Sequence, residues 1–144
     1  MDSHLTVMRF REAVRRSFKF LESRGFREAV DLEHTTPTTA TVAYVGQNVG
    51  FILSLDLRDS CVDAEVATAT NGLLRRNWEG GYSSNLVSHL VKHAGFRGVG
   101  RSKKRTNDSE ADVERAVDRL AQLLEQFGQT LIADAPDSLP PRGR

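Results

Sequence analysis

His89 and His93 stand four residues apart, in a stretch whose apolar spacing predicts a helix. Two imidazoles at i and i+4 share a helical face and can bind one metal ion. Both lie off the apolar face of Leu86, Val87, Leu90, Val91 and Ala94, and no acidic residue or cysteine close in sequence completes a ligand set. The expectation is two solvent-facing histidines, no metal and no cofactor. The next residues, Gly95-Phe96-Arg97-Gly98-Val99-Gly100-Arg101-Ser102, nearly match the phosphate-binding loop G-x-x-x-x-G-K-[ST]. That loop works between a strand and a helix, whose backbone N–H groups face the phosphates. Here a predicted helix precedes it, a polar connector follows, and Arg101 replaces the lysine. The pattern argues against a nucleotide hydrolase.

Three further groups of residues could do chemistry or bind. Cys61 is the only cysteine; a nucleophile needs a base and an oxyanion site, and nothing in the sequence points to either, so it reads as a structural thiol. Asp56, Asp63 and Glu65 fall on one predicted sheet face. Paired carboxylates can act as acid and base, but outward acids on a sheet are usually solvated, so they read as an acidic face for a basic partner. Arg97, Arg101, Lys103, Lys104 and Arg105 form a basic run with no acid inside it, to which Arg75, Arg76 and Lys92 add charge. Such a run can contact phosphates, although no nucleic-acid fold motif accompanies it. Trp78 and Tyr82 flank Glu79-Gly80-Gly81 amid this basic third of the chain. Large aromatics beside arginines make binding hot spots; alternatively, Trp78 plugs the edge of the core.

The chain has 144 residues, of which 39% are hydrophobic, enough for one domain with a single core. No apolar run approaches the ~20 residues of a membrane span. Arginines interrupt the N-terminal apolar residues, so no signal-peptide core is expected there and the protein reads as cytoplasmic. Arginine greatly outnumbers lysine, which suggests a GC-rich bacterial genome. The net charge of +1 hides segregated blocks, net +4 over residues 1–27, −6 over 28–74, +7 over 75–105 and −4 over 106–144. Blocks of this kind either steer partners or neutralise one another by packing.

The elements that must position these groups follow from periodicity. Val7, Phe10, Val14, Phe18 and Leu21 predict a helix over Thr6–Arg24, closed by Gly25-Phe26 in the Schellman manner. Phe20 lies off its apolar face. Val30 and Leu32 alternate with Asp31 and Glu33, predicting a short first strand. Thr38–Val45 reads as a second strand, with Val42 and Tyr44 on the core side. Every odd position of Val49–Leu57 is a large apolar residue, which lays an apolar stripe on one sheet face. Val62, Ala64 and Val66 repeat the pattern in a fourth strand. Directly paired residues share a face, so odd residues of the third strand must pair with even residues of the fourth. That parity demands a connection of two or four residues around Arg58–Cys61. Leu73–Tyr82 reads as a loop or short helix, Ser83 or Ser84 as the cap of the histidine-bearing helix, and Gly95-Phe96 as its end. Ser109-Glu110-Ala111-Asp112 opens a last helix along Val113, Val117, Leu120, Leu124, Phe127 and Leu131. Residues 133–144 read as a disordered tail behind a single domain of residues 1–132.

The predicted fold is α+β: an N-terminal helix, a four-stranded antiparallel β-meander, and two C-terminal helices packed on one sheet face. The run from Phe20-Leu21-Glu22-Ser23-Arg24-Gly25-Phe26 through Val42-Ala43-Tyr44 and Val49–Leu57 to Arg58-Asp59-Ser60 resembles small uncharacterised bacterial α+β proteins. It is similar in this general way to immunity proteins of toxin systems and to accessory proteins of bacterial conflict or anti-phage systems. The likeness covers about half the chain, is one of pattern, and transfers no functional residue. It implies binding and neutralising a partner protein. The expected function is therefore a non-enzymatic protein–protein interaction module that does not engage a membrane. Its partner-binding residues would be Trp78, Tyr82, Arg75, Arg76, Arg97, Arg101, Lys103, Lys104 and Arg105, or else the acidic face of Asp56, Asp63 and Glu65. Nucleic-acid binding through residues 97–105 is the alternative, and a small hydrolase or transferase the third. Oligomeric state is left open.

Overall fold

The computed structural model describes residues 3–59, 61–75, 81–95, 110–134 and 139. Three long strands form an antiparallel meander: β3 (Thr39–Val45), β4 (Val49–Asp56) and β5 (Cys61–Thr70). Four short strands extend its two edges. β1 (Arg27–Glu28) and β2 (His34–Thr35) both pair with β3; β6 (Leu73–Leu74) and β7 (Ser83–Asn85) both pair with β5. Among the described residues the sheet therefore has seven strands rather than four.

The expected first strand is the main correction. Val30–Leu32 is a turn of 3-10 helix, and Val30 is 68% exposed. Four alternating residues are too few for a period of two to exclude a tight helical turn. Pairing is taken instead by the residues on either side, Arg27 opposite Val45 and His34 opposite Thr41.

The parity argument holds. Leu53 pairs with Ala64 and Leu55 with Val62, and Asp56 opposite Cys61 leaves a four-residue connection, 57–60. One face of the meander carries Val42, Tyr44, Val49, Phe51, Leu53, Leu55, Ala64 and Val66, all buried. These residues share a core with Val7, Phe10, Val14 and Phe18 of α1 (Ser3–Ser17) and Leu86 and Leu90 of α3 (Leu86–His93). Val113, Val117 and Leu124 of α4 (Glu110–Phe127) and Leu131 of α5 (Gln129–Ile132) complete it. Gly128 separates α4 from α5, so the long seam is carried by two helices.

The predicted N-terminal helix is broken after Ser17 and resumes as α2 (Phe20–Ser23). Phe20 packs on Phe18, ring centroids 6.1 Å apart. The Schellman closure is present. Phe26 N–H donates to Leu21 C=O and Gly25 N–H to Glu22 C=O, with Gly25 at φ +94°.

At the far end, Asp134 adopts φ +59°, a region that Asp tolerates better than most residues. Its carboxylate accepts the backbone N–H groups of Gln47, Asn48 and Val49 at 2.6–2.9 Å, and its carbonyl accepts Asn48 Nδ2. This residue, which falls in the expected tail, thus anchors the β3–β4 turn. Residues 135–138 and 140–144 lie outside the described residues.

Candidate functional site

The second face of the sheet is divided. Towards one end it carries Ala43, Val45, Gly50, Ala67 and Ala69, small or β-branched residues that are all buried. Leu32 from the 3-10 turn and Leu74 from β6 pack over this end. A Cβ on Gly50 would run into the tip of the Leu74 side chain, so this cover lies closely over a glycine. The other end carries Thr41, Ile52, Ser54, Asp56, Cys61, Asp63 and Glu65, none of them fully buried. Strand pairing sets Ser54 beside Asp63 and Ile52 beside Glu65. β7 brings Asn85 opposite Glu65. Ile52, Ser54, Asp63, Glu65 and Asn85, with Ala64, line an open hollow of about 270 Å³.

The electrostatics of this hollow are one-sided. Asp63 accepts neutral donors, Asn85 Nδ2 at 3.2 Å and Cys61 Sγ at 3.4 Å. Asp56 accepts the backbone N–H of Arg58 at 2.9 Å, a local turn contact. Partial burial pushes the Glu65 carboxyl above its ordinary value. Among the described residues, no Lys or Arg side chain forms an ion pair with Asp56, Asp63 or Glu65. The structure therefore brings together the three acids that the sequence singled out, and adds Ser54, Ile52 and Asn85. Asn85, rather than the expected Ser83 or Ser84, is the cap residue, and this is what sets it at the hollow. Ser83 and Ser84 belong to β7, and Asn85 caps α3 by accepting Ser88 N–H.

The aromatic and basic set is only partly visible. Arg75 is exposed. Arg75 N–H donates to Thr68 C=O, and Thr68 N–H donates to Tyr82 C=O, so Thr68 pins both ends of the segment that carries Trp78. Trp78, Arg76, Arg97, Arg101, Lys103, Lys104 and Arg105 themselves lie outside the described residues. Tyr82 is half-buried, and its hydroxyl meets His89 Nδ1 at 3.1 Å. His89 is only 3% exposed, which corrects its expected solvent-facing position; His93 is exposed as expected. Burial, with His93 alongside, pushes the His89 imidazole down to about 4. A half-exposed Val91 and an exposed Ala94 give up the helix face that the sequence reading assigned to them. The helix is rotated so that His89, held by Tyr82, takes part of the inward face.

A third constellation was not anticipated. Arg11 and Arg15, one helical turn apart on α1, reach over the sheet edge to Glu28 and Glu33. Arg15 Nε and Nη2 donate to both oxygens of the Glu28 carboxylate at 2.9–3.3 Å, and Nη2 lies 3.4 Å from Glu33. Arg11 lies 3.6 Å from Glu33 and donates to Thr35 Oγ1. The hydrogen bond from Arg15 holds Glu28 below its usual carboxylate value, whereas burial, with the Glu28 carboxylate alongside, pushes Glu33 up to about 7. Arg11 Nε, Glu33 Oε2 and Tyr44 Oη are buried without hydrogen-bond partners. The i, i+4 arginines and the paired glutamates are visible in sequence, but only the fold brings them together. The cluster straps α1 to β1 and β2.

Among the described residues, no group of three or more His, Cys, Asp or Glu converges as a metal site, and no helix is long and apolar enough to cross a membrane. No family model, curated protein or solved structure matches the chain.

Proposed function

We propose that this protein is a non-enzymatic interaction module whose half-open sheet face receives a basic segment of a partner protein. The observation that carries this reading is the row Asp56, Asp63 and Glu65, gathered on one face beside an open hollow and left without a cationic partner among the described residues. Charges arranged this way favour opposite charge on a partner and speed the encounter. Glu65 contributes most on contact, because a carboxyl already partly withdrawn from water gains more from an incoming cation than a fully solvated one. Ile52 supplies an apolar floor between the polar groups. The pattern-level likeness to immunity and conflict-system accessory proteins points the same way, towards neutralising a partner by binding it.

The test is capture from host lysate, with and without nuclease, using the wild-type chain and an Asp63→Lys/Glu65→Lys variant. The reading expects one dominant protein that survives nuclease and is lost with the variant, while circular dichroism shows the variant folded. Capture unchanged by the two reversals would remove the acidic face from the interaction. Loss of everything on nuclease treatment would replace it with nucleic-acid binding through residues 97–105.

A further inference from the structure

The pair His89 and His93, together with Tyr82, is not used by the acidic face. His89 Nδ1 is held by the Tyr82 hydroxyl at 3.1 Å. A phenol oxygen can accept as well as donate, so Nδ1–H can point at Tyr82 and leave the Nε2 lone pair free. Nε2 has no hydrogen-bond partner among the described residues. One turn further along α3, the exposed His93 ring lies with its centroid 4.6 Å from that of His89, tilted by 38°. Two metal–nitrogen bonds of about 2.0–2.1 Å place their nitrogens roughly 3 Å apart, and the exposed His93 ring is the one that would turn to meet this. His93 is also the last residue of α3, where the unpaired carbonyl ends favour a cation.

We propose that His89 and His93 form a two-histidine site for a borderline divalent transition metal ion, with Tyr82 as the outer hydrogen-bonding partner that fixes the His89 tautomer. Imidazole pairs suit Cu²⁺, Ni²⁺ and Zn²⁺ and give Mg²⁺ or Ca²⁺ little. No third protein ligand among the described residues joins them, so water fills the other positions. An outer partner of this kind orients its ligand, and its loss weakens the site without abolishing it.

The experiment is calorimetric titration of the metal-free full chain with Cu²⁺, Ni²⁺, Zn²⁺ and Mg²⁺, with Cu²⁺ electron paramagnetic resonance alongside. His4 and His34 are replaced by Ala in the reference protein to remove background. The expected result is one site per chain, tightest for Cu²⁺ and silent to Mg²⁺, with nitrogen hyperfine structure in the Cu²⁺ spectrum. His93→Ala, at an exposed position, should fold normally and weaken binding by tenfold or more. Tyr82→Phe should retain the site at reduced affinity. Equal affinity in the reference protein and His93→Ala, or no saturable binding in either, overturns the proposal.

Discussion

The Asp134 carboxylate occupies the space that a side chain on Gly46 would need, with Oδ2 2.5 Å from where that Cβ would lie. The two residues belong to one device, because the same carboxylate closes the β3–β4 turn through three backbone N–H groups. Hydrogen bonds to a charged acceptor contribute roughly 1.5–3 kcal/mol each and do not add fully. Asp134→Ala should therefore cost about 3 kcal/mol in urea unfolding. Gly46→Ala should cost a similar amount by expelling the carboxylate. The double variant should be little worse than either single one, because both remove the same contacts. Fully additive losses would show that the two positions act separately.

The Arg11–Arg15–Glu28–Glu33 cluster makes a prediction about pH. Glu33 titrates at about 7 in the folded chain and near its ordinary value of 4.5 when unfolded. Between those values the folded state holds the extra proton, so stability falls as pH rises through this window. Glu28 has the opposite sign and a lower window, its contribution being lost as pH falls below its ordinary value. Glu33→Gln mimics the protonated form. Its unfolding free energy should be flatter than that of the wild type between pH 5 and 8, and it should compare best with the wild type at pH 8. Parallel curves for the two proteins would show that Glu33 is ionised throughout.

Gly25 isolates backbone conformation from packing. It sits at φ +94°, and an added Cβ would meet nothing within 4 Å. Gly25→Ala should therefore cost about 1–2 kcal/mol, the ordinary penalty for forcing an L-residue into the left-handed region. Gly25→Asn should cost less, since Asn visits that region more readily. Equal losses in both variants would point to a change in the Schellman hydrogen bonds rather than to backbone preference.

Two other glycines are set apart by what lies over them. The nearest atom to a Cβ on Gly50 is the tip of Leu74, whereas a Cβ on Gly81 would lie 2.6 Å from the backbone oxygen of Arg75. A side-chain tip can rotate away; a backbone oxygen fixed through Thr68 cannot do so without opening the loop. Gly50→Ala is expected to cost about 1–2 kcal/mol, within the usual range for overpacking. Gly81→Ala should cost more and should also raise hydrogen exchange at Tyr82 and Arg75. A larger loss at Gly50 would reverse this ranking of the two covers.

What the sequence disclosed and what it withheld can be traced to the range of each signal. The parity that sets Leu53 and Leu55 against even residues of β5 is legible because the period of a strand is two and an apolar stripe cannot change face within it; which even residues they meet, Ala64 and Val62, is not. The Gly25-Phe26 closure was legible because its hydrogen bonds span only six residues. The 3-10 turn at Val30–Leu32 was not, since a short alternation fits either conformation. The acidic row emerged from the same parity rule as the core, but its confinement to half a face depends on Leu32 and Leu74, which arrive from separate parts of the chain. The position of His89 is not legible because helix periodicity registers apolar residues and gives no weight to an imidazole whose polar atom is held by a tyrosine just before β7. The Arg15–Glu28 pair and the Asp134 clamp join residues 13 and more than 80 positions apart, beyond any local pattern.

The reach of Asp134 also bears on how the chain is made. The β3–β4 turn is complete in the growing polypeptide long before the residue that satisfies its backbone has been synthesised. The same delay affects α1, which packs on α4 and holds Asp118 through Ser17, 101 residues away. Contacts between such distant parts of a chain slow folding and leave apolar surface waiting. A ribosome that has finished the meander therefore carries a sheet with its apolar face only partly roofed, and α4 must clear the exit tunnel before that face can be sealed.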